Sequence, residues 1–421
     1  MTRVAPPSSP SPAGRTGPGE AESVAAFQAL LTGPGHALLE GLRGHDPAAD
    51  LALVTRLRRD HPAALVSAAL TQARLRQRAA AKFGADAERM FFTPDGLEQA
   101  TRASVADWRA ARFALLGVRR IADLGCGIGG DAIALARAGL TVLAVDRSPL
   151  TCAVARANAE ALGLADRIDV VRADVTEAAP EAAAYCDAAF LDPARRTGGS
   201  RVFDPESYAP PLSWAVAVAR RMEHAALKVA PGIPHEAVPE DAEGEWVSDA
   251  GDVKEAVLWF GAGTAAGRYR ATLLPGGHSR TGGTRPGPPP RTGPPGRYLY
   301  EPDGAVIRAR LIPELAAELD APPLDPDIAY LSGDTLHRTP YATAYEITDV
   351  LPFGLKRLRA LVRERAIGTL TIKKRGFAMT PEQVRGRLRL SGPETATLLL
   401  TRIAGAPTML LGHPVPPPPG P

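Results

Sequence analysis

The stretch Asp123-Leu-Gly125-Cys-Gly127-Ile-Gly129-Gly130-Asp131 constrains this chain more than any other. An apolar run, Ile121 to Leu124, enters it, and a helical run, Ala132 to Ala138, leaves it. Strand, glycine turn and helix in that order turn backbone N–H groups and a helix N-terminus toward a bound ligand. The pattern predicts an α/β domain with a doubly wound parallel sheet.

The alternation continues around that turn. Arg120–Leu124, Thr141–Asp146, Ile168–Arg172, Ala188–Leu191, Ala225–Val229, Glu245–Ser248 and Ala256–Phe260 read as strands, and helical runs fall between most of them. The last two lack a helix of useful length between them, so one is expected to run antiparallel. This domain spans residues 117–275. Residues 21–116 read as a helical region, with Leu51, Val54 and Leu57 at helical spacing and Leu97, Val105, Trp108 and Leu115 on its last helix. Asp95 followed by Glu98 reads as the start signal of that helix. Residues 276–297, with Gly276-Gly277, Gly282-Gly283 and Pro288-Pro289-Pro290, read as a linker. Residues 298–413 form a further α/β unit, and 1–20 and 414–421 read as disordered tails.

A length of 421 residues suits two or three domains. The net charge of +3 advertises no acidic partner for the chain as a whole. Cys126, Cys152 and Cys186 are too few and too scattered for a disulfide framework or a zinc cluster, so no metal is expected and a reduced, cytoplasmic setting fits. No apolar run approaches the roughly 18–20 residues of a membrane span.

Gly125, Gly127 and Gly130 also satisfy the dinucleotide pattern G-x-G-x-x-G, and Asp146 at the end of the next strand suits a ribose in either case. Three carboxylates separate the ligands. Asp123 lies before the glycines, where a dinucleotide needs no anion but a ligand with an α-ammonium group does. Asp174 follows the third strand and can accept the exocyclic amine of adenine. Asp192-Pro193 ends the fourth strand, where a methyl acceptor would sit. The set resembles the class I S-adenosylmethionine-dependent methyltransferases, a Rossmann-like fold. By that resemblance Asp123 with Gly125, Gly127 and Gly129 holds the methionine part, Asp146 the ribose and Asp174 the adenine. The helix before the turn closes over the methionine end in such enzymes, which makes Thr93, Glu98 and Gln99 candidates for that contact.

The acceptor is read from Phe190-Leu-Asp192-Pro193-Ala194-Arg195-Arg196. Methyltransferases acting on base amines carry a related motif: Asp or Asn, two prolines, then an aromatic. A carboxylate and a backbone carbonyl there accept hydrogen bonds from the amine and restore its sp³ character, while the aromatic stacks the flipped base. Asp192 and Pro193 match. Ala194 and Arg195 depart, so Arg195 and Arg196 would stack a base or bind phosphate. Methylation at pyrimidine carbon-5 would need a covalent cysteine, and none lies near Lys228-Val-Ala-Pro231.

From Phe353 to Leu390 the chain is strongly basic, with only Glu364 and Glu382 in opposition. That asymmetry is the footprint of nucleic-acid binding. Lys373, Lys374 and Arg375 follow a short strand, and Phe377 offers a base platform. Leu370-Thr-Ile-Lys-Lys-Arg-Gly376-Phe377, Arg385-Gly-Arg387-Leu388 and Leu400-Thr401-Arg402 resemble the THUMP-like domain at the C-terminus of some bacterial methyltransferases. The expectation is therefore a methyltransferase that N-methylates a base in structured RNA, tRNA or rRNA, using S-adenosylmethionine, with Asp192 and the Pro193 carbonyl at the acceptor. Two other readings stay open: a methyltransferase of a small molecule or protein, and a non-catalytic RNA-binding protein that keeps the cofactor pocket.

Overall fold

The computed structural model describes residues 18–44, 51–194, 196–197, 200–201, 204–283 and 291–416. Helices come first: α1 (Pro18–Leu30), α2 (Gly33–Gly41), α3 (Leu51–Asp60), α4 (Ala63–Phe83), α5 (Pro94–Gln99) and α6 (Ala103–Leu115). α1 begins inside the stretch expected to be a tail. The expected last helix is two helices, broken at Ala100, whose ψ of 139° leaves the helical region. Its start signal is Thr93, whose hydroxyl accepts from the Gly96 N–H, and not Asp95. Leu115, expected in the core by spacing, is 88% exposed at the end of α6.

Strand and helix then alternate: β1 (Arg120–Leu124), α7 (Gly130–Arg137), β2 (Thr141–Asp146), α8 (Pro149–Ala161), β3 (Ile168–Arg172), α9 (Val175–Tyr185) and β4 (Ala188–Leu191). A two-residue pair, β5 (Arg196–Thr197) and β6 (Ser200–Arg201), precedes α10 (Leu212–Ala219) and β7 (His224–Val229). β7, β4, β1, β2 and β3 lie side by side in that order, all parallel. β4 and β7 are buried along their whole length, as strands covered on both faces must be. The chain leaves β1 toward β2 on one side and returns to β4 on the other. The crevice beyond the carboxyl ends of β1 and β4 is thus the topological switch point, where open α/β sheets bind ligands.

The helical region is part of this body. α1 packs on α4 and α8, and α6 on α7. Asn158 of α8 is fully buried and ties the layers together. Its Oδ1 accepts from the Phe91 N–H at 2.6 Å, and its Nδ2 donates to the carbonyls of Phe91 at 3.0 Å and Ile128 at 2.9 Å. Gln72 of α4 brackets Phe92 in the same way, donating to its carbonyl and accepting from its N–H. The segment before α5 and the glycine turn are therefore held by side-chain amides. Among the described residues no helix is long and apolar enough to cross a membrane.

β8 (Glu243–Asp249) and β9 (Asp252–Gly261) follow, joined by Ala250 and Gly251, both at positive φ. Such a two-residue turn makes a hairpin, so the expected reversal is present. β10 (Arg268–Leu274) and β11 (His278–Gly283) were not expected, and β11 occupies part of the stretch read as linker. Gly282 is there for closeness and not for a turn: a Cβ on it would meet Leu311 at 2.3 Å. The chain divides at Val238 and not in the Pro/Gly stretch. One unit runs to Val238 and includes Val257–Thr264; the other holds Pro239–Ala256 and everything from Ala265. Residues 284–290 of the expected linker, and most of both expected tails, lie outside the described residues.

The second unit continues with β12 (Tyr298–Pro302), α11 (Gly304–Arg308), α12 (Ile312–Leu319), β13 (Pro323–Asp325), β14 (Ile328–Gly333), β15 (Ala342–Pro352), α13 (Leu355–Glu364), β16 (Ile367–Lys374), α14 (Pro381–Arg385), β17 (Glu394–Ile403) and β18 (Ala406–Pro414). Its seven-stranded sheet has the order β13-β14-β12-β15-β18-β17-β16 and is mixed, with β16 and β17 parallel. α13 turns Leu358, Leu361 and Val362 into the core and leaves Lys356, Arg357, Arg359 and Arg363 exposed.

Asn158→Leu should lower stability by about 2–3 kcal/mol, because it leaves buried backbone groups of Phe91 and Ile128 unpaired. Thermal unfolding should show a Tm fall of roughly 5–10 °C. An unchanged Tm would mean that this amide does not hold the helices to the turn.

Candidate active site

Asp123 is the last residue but one of β1 and is fully buried. Neither carboxylate oxygen has a hydrogen-bond partner among the described residues. Burial, then the charges of Asp131 and Asp192, raise its pKa well above the ordinary carboxylate range, while Arg109 works in the other direction. The turn that follows needs glycine at Gly125, where φ is 96° and a Cβ would stand 3.0 Å from the Asp192 carbonyl oxygen. The same close approach brings the ends of β1 and β4 together. Across the turn, the Gly127 N–H donates to Asp146 Oδ2 at 3.1 Å, and the Ser148 N–H donates to Oδ1 at 2.9 Å. Burial nonetheless raises the Asp146 pKa, those backbone bonds opposing it.

Two cations face these anions. Arg109 of α6 is buried, pairs with Asp131 at the start of α7 and lies over the Phe190 ring with its guanidinium carbon 4.2 Å from the centroid. Lys228 of β7 is also buried; its Nζ donates to Asp192 Oδ2 at 2.7 Å and to the Thr101 hydroxyl at 3.0 Å. Lys82 of α4 donates to the carbonyls of Leu97, Glu98 and Ala100, closing the end of α5 next to Thr101. Burial and the nearby Lys228 charge pull the Lys82 amine down to about 8.

The sequence reading missed both Arg109 and Lys228. A signal was there for each. Lys228 interrupts the wholly apolar strand run Ala225-Ala-Leu-Lys228-Val229, and Arg109 shares a helical face with Val105 and Phe113. Charged residues at such positions are buried only with a partner.

The structure thus places Asp123, Gly125, Gly127, Gly129, Asp146, Asp192 and Pro193 at or just beyond the carboxyl ends of β1, β2 and β4. Asp174 lies beyond β3 as the N-cap of α9, where Oδ1 accepts from the Thr176 N–H and hydroxyl, and these bonds lower its pKa. Thr93 is committed to capping α5, and Gln99 is exposed at the end of that helix. Arg195 lies outside the described residues; Arg196 lies in β5. In the second unit, Lys373 pairs with Glu301, Arg375 stands 3.9 Å from Glu301 and over Tyr330, and Phe377 packs on Phe353 against the core. Lys373 and Arg375 share Glu301 while their side chains stay 37% and 30% exposed, and Phe377 is half-buried beside Phe353. Lys374 remains exposed. Among the described residues no group of three or more His, Cys, Asp or Glu side chains is arranged to hold a metal ion.

Residues 121–194 match a methyltransferase domain family, 342–414 a THUMP domain-like family, and 23–79 a domain of unknown function. The chain is 36% identical over 338 residues to a protein of Mycobacterium tuberculosis named an uncharacterized S-adenosylmethionine-dependent methyltransferase. That match covers 78% of this chain and 90% of the relative. The chain belongs to the S-adenosylmethionine-dependent methyltransferases. A crystal structure named for a candidate methyltransferase from Porphyromonas gingivalis shares the fold, with a TM-score of 0.73 at 22% identity over 94% of this chain and 98% of that one.

The residues of this methyltransferase fit the cofactor. A buried carboxylate with no partner is costly unless a cation reaches it, and S-adenosylmethionine carries both an ammonium and a sulfonium. When bound, the cofactor supplies an electrophilic methyl group. The fit predicts a pH dependence. An Asp123 that receives the ammonium would have to ionise, so S-adenosylmethionine affinity should then rise as pH rises through its elevated pKa, with proton release on binding. In the ligand-free protein the folded state holds that proton longer than the unfolded chain does, so stability falls as pH rises above the ordinary carboxylate range. Calorimetry in buffers of different ionisation heat checks the first, and pH-dependent melting the second. Asp123→Asn should remove both dependences and weaken binding by about 10–100-fold, the value of a charge-assisted hydrogen bond. Full affinity in that variant would place the ammonium elsewhere.

Proposed function

We propose that this methyltransferase N-methylates a base in structured RNA, tRNA or rRNA. The observation that carries RNA is the cationic surface of the second unit. Lys356, Arg357, Arg359 and Arg363 on α13, with Lys374, Arg385, Arg387 and Arg389, are exposed. Arg359 donates to the Arg387 carbonyl, which joins α13 to the segment after α14. A surface of that sign attracts phosphates and gives binding that weakens steeply with salt. It lies within and beside the THUMP domain-like match.

Asp192 and Pro193 carry the base-amine reading. The carboxylate stands just past β4, with Oδ2 on Lys228. Its other oxygen and the Pro193 carbonyl are the acceptors for the amine protons, and attack on the methyl group is an in-line displacement that mainly needs positioning. In this reading Asp123 and the glycines take the methionine end of the cofactor, Asp146 the ribose and Asp174 the adenine. Thr93, which starts α5, and Gln99, exposed at its end, stay candidates for the methionine end. Arg195 and Arg196, directly after the acceptor motif, serve RNA phosphate. The three buried, free thiols support a reducing, cytoplasmic setting.

Mass spectrometry of RNA nucleosides from a deletion strain should show one methylated base missing, restored by the wild-type gene. An unchanged profile would overturn the RNA reading in favour of a small-molecule or protein acceptor. Asp192→Ala should keep S-adenosylmethionine binding and lose at least about 100-fold in methyl transfer. Neutralising Arg357, Arg359 and Arg363 should weaken RNA binding and flatten its salt dependence, by about one unit of slope for each phosphate ion pair removed.

A further inference from the structure

We propose that Lys228 is a positioning residue for Asp192, and that Thr101 and Lys82 make the N-terminal helices part of the acceptor site. The proposal rests on the reading of Asp192 as the group that meets the acceptor.

Asp192 is one of four neighbouring carboxylates, with Asp123 and Asp146 on strand ends and Asp131 at the start of α7. Its charge bears on Asp123 directly. Asp131 is answered by Arg109. Asp192 is answered by Lys228, at 2.7 Å. An ammonium has donors and no acceptor, so it fixes one carboxylate oxygen and leaves the other to receive a proton donor. Lys228 is 4% exposed and anchored from its own side by the Thr101 hydroxyl. Thr101 sits in the break between α5 and α6, and that break is held by Lys82, whose amine takes the carbonyls of Leu97, Glu98 and Ala100. Lys82 thus fixes the carbonyls up to Ala100, the chain itself continues to Thr101, and hydrogen bonds then link Thr101 to Lys228 and Lys228 to Asp192. Helical packing alone needs none of these polar contacts, and each is placed where a strand-end carboxylate must keep one orientation.

The test is a double-mutant cycle read in methyl transfer. Lys228→Met should lower kcat at least tenfold while the Kd for S-adenosylmethionine stays within threefold. In an Asp192→Ala background the same change should cost less than threefold more, because Lys228 then has nothing to position. Thr101→Val keeps the charge and the packing and loses only the anchor. It should lower kcat severalfold with KM little changed, and its effect should vanish in Lys228→Met. Additive losses, or a loss confined to S-adenosylmethionine binding, would overturn the proposal and leave Lys228 a structural residue. The cycle is also read in Tm, without any acceptor: the two single losses should together exceed the loss in the double variant. Coupling in Tm with no methyl transfer to RNA by the wild type would sink the RNA reading and keep the ion pair. No coupling in either readout would sink the positioning role itself.

Discussion

A carboxylate taken out of water without a partner sets the terms for the rest of this methyltransferase. Asp123 is held by the strand it belongs to, and the strand is held by neighbours buried on both faces. It cannot move to solvent, and burial raises its pKa well above the ordinary carboxylate range. A cationic ligand would oppose that shift. In the proposed reading the glycine turn gives space to the ligand and Asp123 sets the sign of its charge. The glycine spacing alone suits a dinucleotide as well, and the buried carboxylate is what favours a ligand with an ammonium group.

The same argument explains why buried cations stand against these carboxylates. Every carboxylate that the sheet brings to its switch point raises the cost of the others. Arg109 comes from α6 and Lys228 from β7, and Lys228 is anchored by Thr101 between α5 and α6. The N-terminal helices are therefore not a separate cover. Asn158 and Gln72 fix the approach to α5 by pairing with backbone groups, and Lys82 fixes its end. A rigid approach on one side and a capped end on the other leave the break at Ala100–Arg102 in one place, and that place is where Lys228 needs its anchor.

What could be read from the sequence follows from the range of each signal. The strands and glycine turn were legible because hydrophobic period and turn chemistry are local. β10 and β11 were not, since Gly282-Gly283 looks like a breaker until Leu311 is seen against it. The Asp123, Asp146 and Asp192 cluster was legible because topology places strand ends together. The partner of Lys373 and Arg375 was not legible, because a local basic run does not show that Glu301, far earlier in the chain, meets it. Arg109 and Lys228 were visible as charges on apolar faces, but only the fold says which carboxylate each answers.

The second unit carries its positive surface on α13 and the segment around α14. One carboxylate, Glu301, faces both Lys373 and Arg375, so it offsets one of their two charges. Those on α13 are different: the helix buries Leu358, Leu361 and Val362 and so has its basic residues fixed on the opposite face. Their spacing is set by the helix and not by flexible loops, which favours a partner with regularly spaced charge over a diffuse acidic surface. A nucleic-acid backbone has that regularity. The geometry of one amphipathic helix, more than the total count of basic residues in the segment, is what supports the proposed RNA partner.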